Sequence, residues 1–401
     1  MVKTLTSFSI FARMRKTLRP MIMLLGAIAV AACEPISITP GASNGPTVDR
    51  SAPVPVALLL PRGSGSASDD LISRNLENAA RLAMRDLNGV EVDLRVYGTA
   101  GNPTQAASAA AQAVNEGAKI IIGPLYGEAA NAASVAVAST GVNVLAFSNN
   151  TTIAGGNLFV LGSTFQSTAD RLVGYANKSG KDRIVVVHAQ DVAGQLGKNA
   201  IQTAIARQGG SLAATIDYPL SQQGVVAAVP RIKAAVDGTG ANAVFMTSPS
   251  AAALPLLTQL LPEAGVSPAS TQYIGLTRWD IPRQTLDLPG LQGGWFALPD
   301  PNRSAAFNSR YNAAYGSTPH PLAGLAYDGI AAVGALVANG RSRNPFSTGS
   351  LTQGAGFQGA NGVFRLRPDG TNQRGLAVAT IRQQRVVVID PAPTGFSGAG
   401  F

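Results

Sequence analysis

The chain has 401 residues, 31 of them basic and 22 acidic, with one cysteine and two histidines. A single cysteine excludes an intrachain disulfide, and two distant histidines leave too few soft ligands at zinc spacing for a metal site to be expected. The basic residues form no dense block, which argues against nucleic acid as a partner. Five of the nine net positive charges sit in the first 19 residues, at Lys3, Arg13, Arg15, Lys16 and Arg19.

That basic start leads into a short apolar run, Met21 to Ala32. The run is too short for a lasting membrane span, so residues 1–32 read as a secretory signal peptide, beginning at Met1 or Met14. Val30-Ala31-Ala32-Cys33 resembles the lipobox of bacterial lipoproteins, which implies cleavage before Cys33 and lipidation of its thiol. Residues 33–53 are rich in Pro, Ser, Gly and Thr and read as a flexible tether. From Val54 a regular rhythm sets in. VPVALLL (54–60) is a buried strand, and 71–87 a helix closed by Asn88-Gly89. Then come a strand at 90–98, a helix at 103–117, a strand at 118–124, a helix at 128–140 and a strand at 142–148.

A second series comes after FVLGSTFQ (159–166). Helices at 168–180, 197–210, 225–238 and 250–265 alternate with strands at 182–189, 211–219, 241–248 and 271–277. Helices at 304–316 and 323–340 come next. The end, 362–390, reads as antiparallel about an Asp369-Gly370 turn, and 392–401 reads as a frayed tail. Alternation of strand and helix at this spacing predicts parallel sheets covered on both faces. The expected fold is therefore α/β, with two doubly wound parallel-sheet lobes.

Enzyme signatures are lacking. There is no G-x-S-x-G elbow and no P-loop. Gly354 to Gly359 matches G-x-G-x-x-G but lies in a Ser/Gly/Gln-rich connector, without the strand and helix that a dinucleotide needs. His188 ends an apolar strand and reads as structural, and His320 stands alone. No catalysis, cofactor or metal is expected.

The ordered set VPVALLLPRGSG, NLENAARLAMRDLNG, AKIIIGPLYGEAANA, VNVLAFSNNTT, RIVVVHAQDVAGQLGKNA and GANGVFRLRPDG resembles the type I periplasmic binding proteins of the leucine/isoleucine/valine-binding branch, from about Val54 to Asp390. The resemblance implies three crossings between lobes, near 165, 298 and 345. Lobe 1 would then be 54–165 with 298–345, and lobe 2 would be 166–297 with 346–391. It also implies a ligand cleft between the lobes at the strand ends. Candidate cleft residues are Leu125, Tyr126, Ser148, Asn149 and Asn150 in the first lobe, and Gln190, Asp191, Thr277, Arg278 and Trp279 in the second. Tyr327, on the returning helix, completes the set.

Amino-acid binders of that branch carry a hydroxyl loop where this chain has PLYGEA, and a tyrosine-glycine where it has Ala193-Gly194. Thr277-Arg278 stands near their ammonium-binding acid, and Asp280 could supply that charge. Residues 140–175, with LAFSNN and AGGNLFVLGSTFQSTADRLVGYA, resemble the penicillin-binding protein activator lipoproteins. That implies a lipid-anchored periplasmic protein that regulates peptidoglycan synthesis by touching a synthase. The alternative is a solute receptor of an ABC transporter for branched-chain or related amino acids or amides, with a permease as partner. Glu34 after the anchor favours the outer membrane over the inner.

Overall fold

The structure, a computed structural model, describes residues 45–340 and 342–396. The leader 1–32, Cys33 and the first part of the tether lie outside the described residues, as does the end of the tail. The described residues belong to one compact unit, Gly41–Phe401.

Strand β1 (Val54–Leu60) is an inner strand of the first sheet, whose order is β2-β1-β3-β4-β5. Its neighbours are β2 (Val92–Gly98) and β3 (Ile120–Ile122), followed by β4 (Val144–Ala146) and β5 (Leu158–Val160), all parallel. The run VPVALLL has no polar face because both of its faces are covered. Val56, Leu58 and Leu60 pack with α1 (Ala67–Met84) and α9 (Ala323–Ala338). Ala57 and Leu59 pack with α2 (Pro103–Asn115) and α3 (Gly127–Val137). Each fully buried leucine here contributes about 1.5–3 kcal/mol. Alanines at 106, 109, 110, 113, 129, 130 and 133 line α2 and α3, and their small side chains let the two helices approach closely.

The second sheet has the order β15-β14-β10-β9-β8-β6-β7. Strands β6 (Arg183–Ala189), β7 (Ser211–Tyr218), β8 (Ala243–Met246), β9 (Gln272–Gly275) and β10 (Trp295–Pro299) run parallel. On one side β14 (Leu376–Arg382) and the edge strand β15 (Arg385–Asp390) are antiparallel additions. Period two again divides the faces. Ile184 and Val186 meet α4 (Phe165–Lys178) and α5 (Val192–Gln208). Val185 and Val187 meet α6 (Gln222–Thr239) and α7 (Leu254–Glu263). Helix α6 carries Pro230 in its interior and continues through it.

Helix α8 (Pro301–Tyr315) and the short α10 (Thr348–Leu351) complete the helices described. A small antiparallel sheet holds β11 (Phe357–Gly359), β12 (Gly362–Leu366) and β13 (Asn372–Arg374). The α/β class with parallel-sheet lobes is as expected from the pattern, but several details differ.

Helix α5 begins at Val192, not at 197, because the Asp191 carboxylate caps it by accepting from the Gly194 amide at 2.6 Å. Gly194 and Gly197 are required inside the helix. A Cβ on Gly194 would stand 2.2 Å from the Ala189 carbonyl, and one on Gly197 would stand 2.7 Å from Leu276. Asp369-Gly370 lies in a five-residue loop, 367–371, closing β12 on β13. A second hairpin, β14–β15, turns on Gln383 and Gln384, both with positive φ.

Further expectations are corrected. The part of the tether from 45 onward is not free. Val48 is buried, its amide donates to the Arg343 carbonyl, and Arg50 donates to the Gly340 and Ser342 carbonyls. The start of the tail is held as well. The Thr394 carbonyl accepts from Gln358, and the Phe396 ring lies 4.7 Å from the Arg365 guanidinium. The third crossing also moves. Phe346, Leu351, Phe357, Ala360, Phe364 and Leu366 are apolar side chains of the first core, not the second. The chain passes to the second sheet only at Gly375, where β13 gives way to β14.

Candidate functional site

All three crossings converge on one buried ion pair. Asp328, on α9, is fully buried, and its carboxylate accepts from Arg374 at 2.8 Å and from the Ala360 amide at 2.7 Å. The Arg374 guanidinium also donates to the Leu161 carbonyl, with Nε at 3.0 Å, and stacks over Phe364. Leu161 precedes the first crossing, 162–164, and Arg374 precedes the third. At the second, the Asp300 amide donates to the carbonyl of Asn361, beside Ala360. Asn372 adds two bonds from its amide to the Val160 and Gly162 carbonyls, both 2.8 Å. Burial pushes the Asp328 carboxyl's pKa up, and Arg374 opposes that shift.

Above this junction lies a cavity of about 700 Å³. Its polar wall comes from the ends of β3 and β4. Gly123 has φ +88°, and a Cβ there would stand 2.2 Å from the Leu59 carbonyl. The chain therefore needs glycine before Pro124 in order to deliver Leu125 and Tyr126 to the cavity mouth. Tyr126 is pinned by its hydroxyl, which donates to Asp69 at 2.5 Å. That bond and burial push its pKa up to about 12, so it stays a neutral phenol. The first-turn amides of a helix have no intrahelical acceptor, and Tyr126, which precedes the eleven-residue α3, supplies no side-chain cap for them. Gly127 and Glu128 begin that turn and line the cavity together with Ser148, Asn149 and Asn150. Ser148 is buried and its hydroxyl accepts from the Asn150 amide, while the Asn150 side-chain oxygen caps the turn at Thr152. The apolar wall comes from Ile72, Phe147, Leu322 and Leu325, and the floor from Pro299, Gly375 and Leu376 at the crossings.

Of the expected residues, Leu125, Tyr126, Ser148, Asn149 and Asn150 come together here. The others do not line this cavity. Gln190 donates to Asp217 at 2.7 Å, Asp191 caps α5, and the Thr277 hydroxyl donates to the Ser248 carbonyl. Arg278 forms a two-pronged pair with Asp280, so Asp280 offers no free charge. Trp279 is fully buried in the second core, where Gly275 and Gly294 make room for its ring. Tyr327 packs edge-on against Phe307 and donates to Asp86 at 2.6 Å, at a place that the cavity does not reach. Trp279 is a core side chain, and Tyr327 packs at the margin of the first core. Sequence reasoning missed Gly127, Glu128, Asn361 and Arg374. The first two were legible in principle as the start of a helix directly after a strand end. His188 is buried, with Nδ1 2.9 Å from the Ala189 carbonyl.

Comparison with known proteins places this geometry. A Rhodospirillum rubrum protein provisionally assigned to a branched-chain amino acid ABC transporter has 17% identity and a TM-score of 0.70, over 84% of this chain and 100% of that one. A branched-chain amino acid ABC transporter periplasmic ligand-binding protein of Burkholderia xenovorans has 19% identity and a TM-score of 0.63, over 86% and 97%. An ABC transporter solute binding protein of Rhodopseudomonas palustris, in complex with 3,4-dihydroxybenzoic acid, has 17% identity and a TM-score of 0.55, over 86% and 97%. At these identities the likeness is one of fold. No curated protein matches the chain. The family described as periplasmic binding protein matches residues 53–385, and the chain belongs to that family.

Proposed function

We propose that the protein is a periplasmic solute receptor for a small carboxylic acid with an apolar body, serving an ABC permease. The observation that carries this reading is the uncapped start of α3 opening on the cavity beside Ser148, Asn149 and Asn150. A helix N-terminus presents amide donors and positive partial charge, which suit a carboxylate. Leu125, Leu322 and Leu325 supply apolar contact for the rest of the molecule. Neighbours with this fold include binders of branched-chain amino acids and of an aromatic acid, and both ligand types fit this description.

The same observation favours the receptor over the activator of peptidoglycan synthesis. The stretch that resembles the activators includes Phe147, Ser148, Asn149, Asn150, Gly162 and Ser163, and these face the cavity. The lipid anchor rests on Val30 to Cys33 and the outer-membrane address on Glu34, read from sequence alone. Among the described residues no helix is long and apolar enough to cross a membrane.

The test is a thermal-shift screen of the protein against amino acids, their amides and aromatic acids. A rise that grows with the logarithm of ligand concentration is expected, about 2.7 kcal/mol of stabilisation at a hundred times Kd. A flat panel, together with capture of a peptidoglycan synthase, would reverse the reading. Glu128 is the carboxylate side chain lining the cavity. Glu128→Gln is therefore expected to weaken an amino acid, which needs an ammonium partner, and to leave a simple acid bound as tightly or more tightly, since a like charge is removed.

A further inference from the structure

A second cavity, of about 580 Å³, lies between α4, the end of α5 and the β12–β13 hairpin, and shares Arg374 with the first. Its lining has six cations and one carboxylate, Asp170. Two of the cations are neutralised elsewhere. Arg171 pairs with Asp390 at 2.9 Å, and Arg374 pairs with Asp328. Four remain against one acid: Lys178, Arg207, Arg365 and Arg367.

Asp170 does not satisfy them. Its carboxylate is 3.8 Å from Arg207 and 4.0 Å from Arg367, while its close bond, at 2.7 Å, comes from Gln166. Burial raises its pKa, against the bond from Gln166 and the charges of Arg207 and Arg367. Arg365 leans on neutral groups, the Gln373 side-chain oxygen at 2.6 and 2.9 Å and the Phe396 ring. Burial and the neighbouring Arg367 press its pKa down. Arg365, near the end of β12, and Arg367, the first residue of the loop that follows, both line the cavity from the same arm of the hairpin. Lys178 and Arg207 each lie in the last turn of a helix, where the macrodipole favours a cation. The dipoles account for a cation at each helix end. They do not account for the convergence of both with the two hairpin arginines. Four like charges around one concavity repel, and the concave wall focuses their field on whatever enters.

We propose that this cavity binds a multiply charged phosphate-type oxyanion, a phosphomonoester or diphosphate group, held by Lys178, Arg207 and Arg367 with Arg365 behind them. Four cations call for more than one negative charge, and guanidinium forks match phosphate oxygens in pairs. Arg365 and Arg367 stand on the hairpin of the first core, and Lys178 and Arg207 on helices of the second. A bound anion therefore ties the two sides of the third crossing together. Lys178, Arg207, Arg365 and Arg367 do not line the carboxylate-binding cavity, which has only Arg374 in common with this one.

A soluble molecule and a lipid headgroup can both carry such a group, and titration calorimetry and vesicle co-sedimentation separate the two. Inorganic pyrophosphate is titrated into the full chain at fixed ionic strength, and phosphatidic acid vesicles are compared with phosphatidylcholine vesicles. The expected result is saturable binding of pyrophosphate, weakened at least about tenfold in Arg207→Gln/Arg367→Gln. Binding to phosphatidic acid vesicles alone, lost in the same variant, would support the site with a lipid as its source. Lys178→Gln, at an exposed helix end, gives a smaller loss in the same direction and does not endanger folding. Absence of binding in both assays, or binding unchanged in the double variant, would overturn the proposal.

Discussion

Arg374→Met tests whether the crossings are held by one buried pair. The substitution keeps most of the aliphatic volume over Phe364 but removes the guanidinium. Asp328 is then left fully buried with only the Ala360 amide as donor, and the Leu161 carbonyl loses two donors. Breaking a buried pair from one side typically costs about 3–5 kcal/mol. The upper half of that range is expected here, because a second acceptor is also orphaned. Replacing both partners, in Arg374→Met/Asp328→Leu, removes the stranded charge and should recover at least about 1.5 kcal/mol of the loss. Urea unfolding followed by circular dichroism gives both numbers from the shift in midpoint at constant slope. Tryptophan fluorescence alone would not suffice, because Trp279 and Trp295 both pack against the cores of the second sheet. A cost below about 1 kcal/mol for the single variant, well short of the range for a broken buried pair, would refute the reasoning. So would a double variant less stable than the single one.

Three other substitutions separate site from scaffold. Gly127→Ala adds a methyl 3.5 Å from the Asn150 amide and 3.6 Å from the Ser148 hydroxyl; it should weaken solute binding about tenfold without lowering the melting temperature, since alanine suits a helix better than glycine. Tyr327→Phe should cost about 1 kcal/mol and leave solute affinity unchanged, as measured by titration. The same variant bears on pH. Burial pulls the Asp86 carboxyl up, but bonds from Arg310 and Tyr327 outweigh it and hold the folded-state pKa below the usual 3.8. The stability this gives is present above that value and lost as pH falls through the lower folded one, so loss of the Tyr327 hydroxyl should bring acid unfolding on at higher pH. Gly275→Ala would place a methyl 2.1 Å from the Trp279 ring, and overpacking of this severity should cost at least about 3 kcal/mol in a thermal melt.

The sequence by itself determined the alternation of strands and helices, and with it two doubly covered parallel sheets. Runs such as VPVALLL and RIVVVHA can be satisfied only by burial on both faces, and helices between consecutive strands supply that cover. It also placed the first-lobe strand ends, because residues directly after a parallel strand must emerge on one edge of the sheet. Tertiary structure decided what lies beyond one element's reach. Whether Trp279 and Tyr327 face a ligand or a core depends on Gly275 and Gly294 in one case, and on Asp86 and Phe307 in the other. The third crossing sits at Gly375 because Phe357, Phe364 and Leu366 find the first core rather than the second. Arg374 and Asp328 meet across 46 residues, and the four cations of the second cavity come from three separate elements. Local periodicity carries no information about such partners, since each is chosen by packing distant segments together, not by the residues on either side.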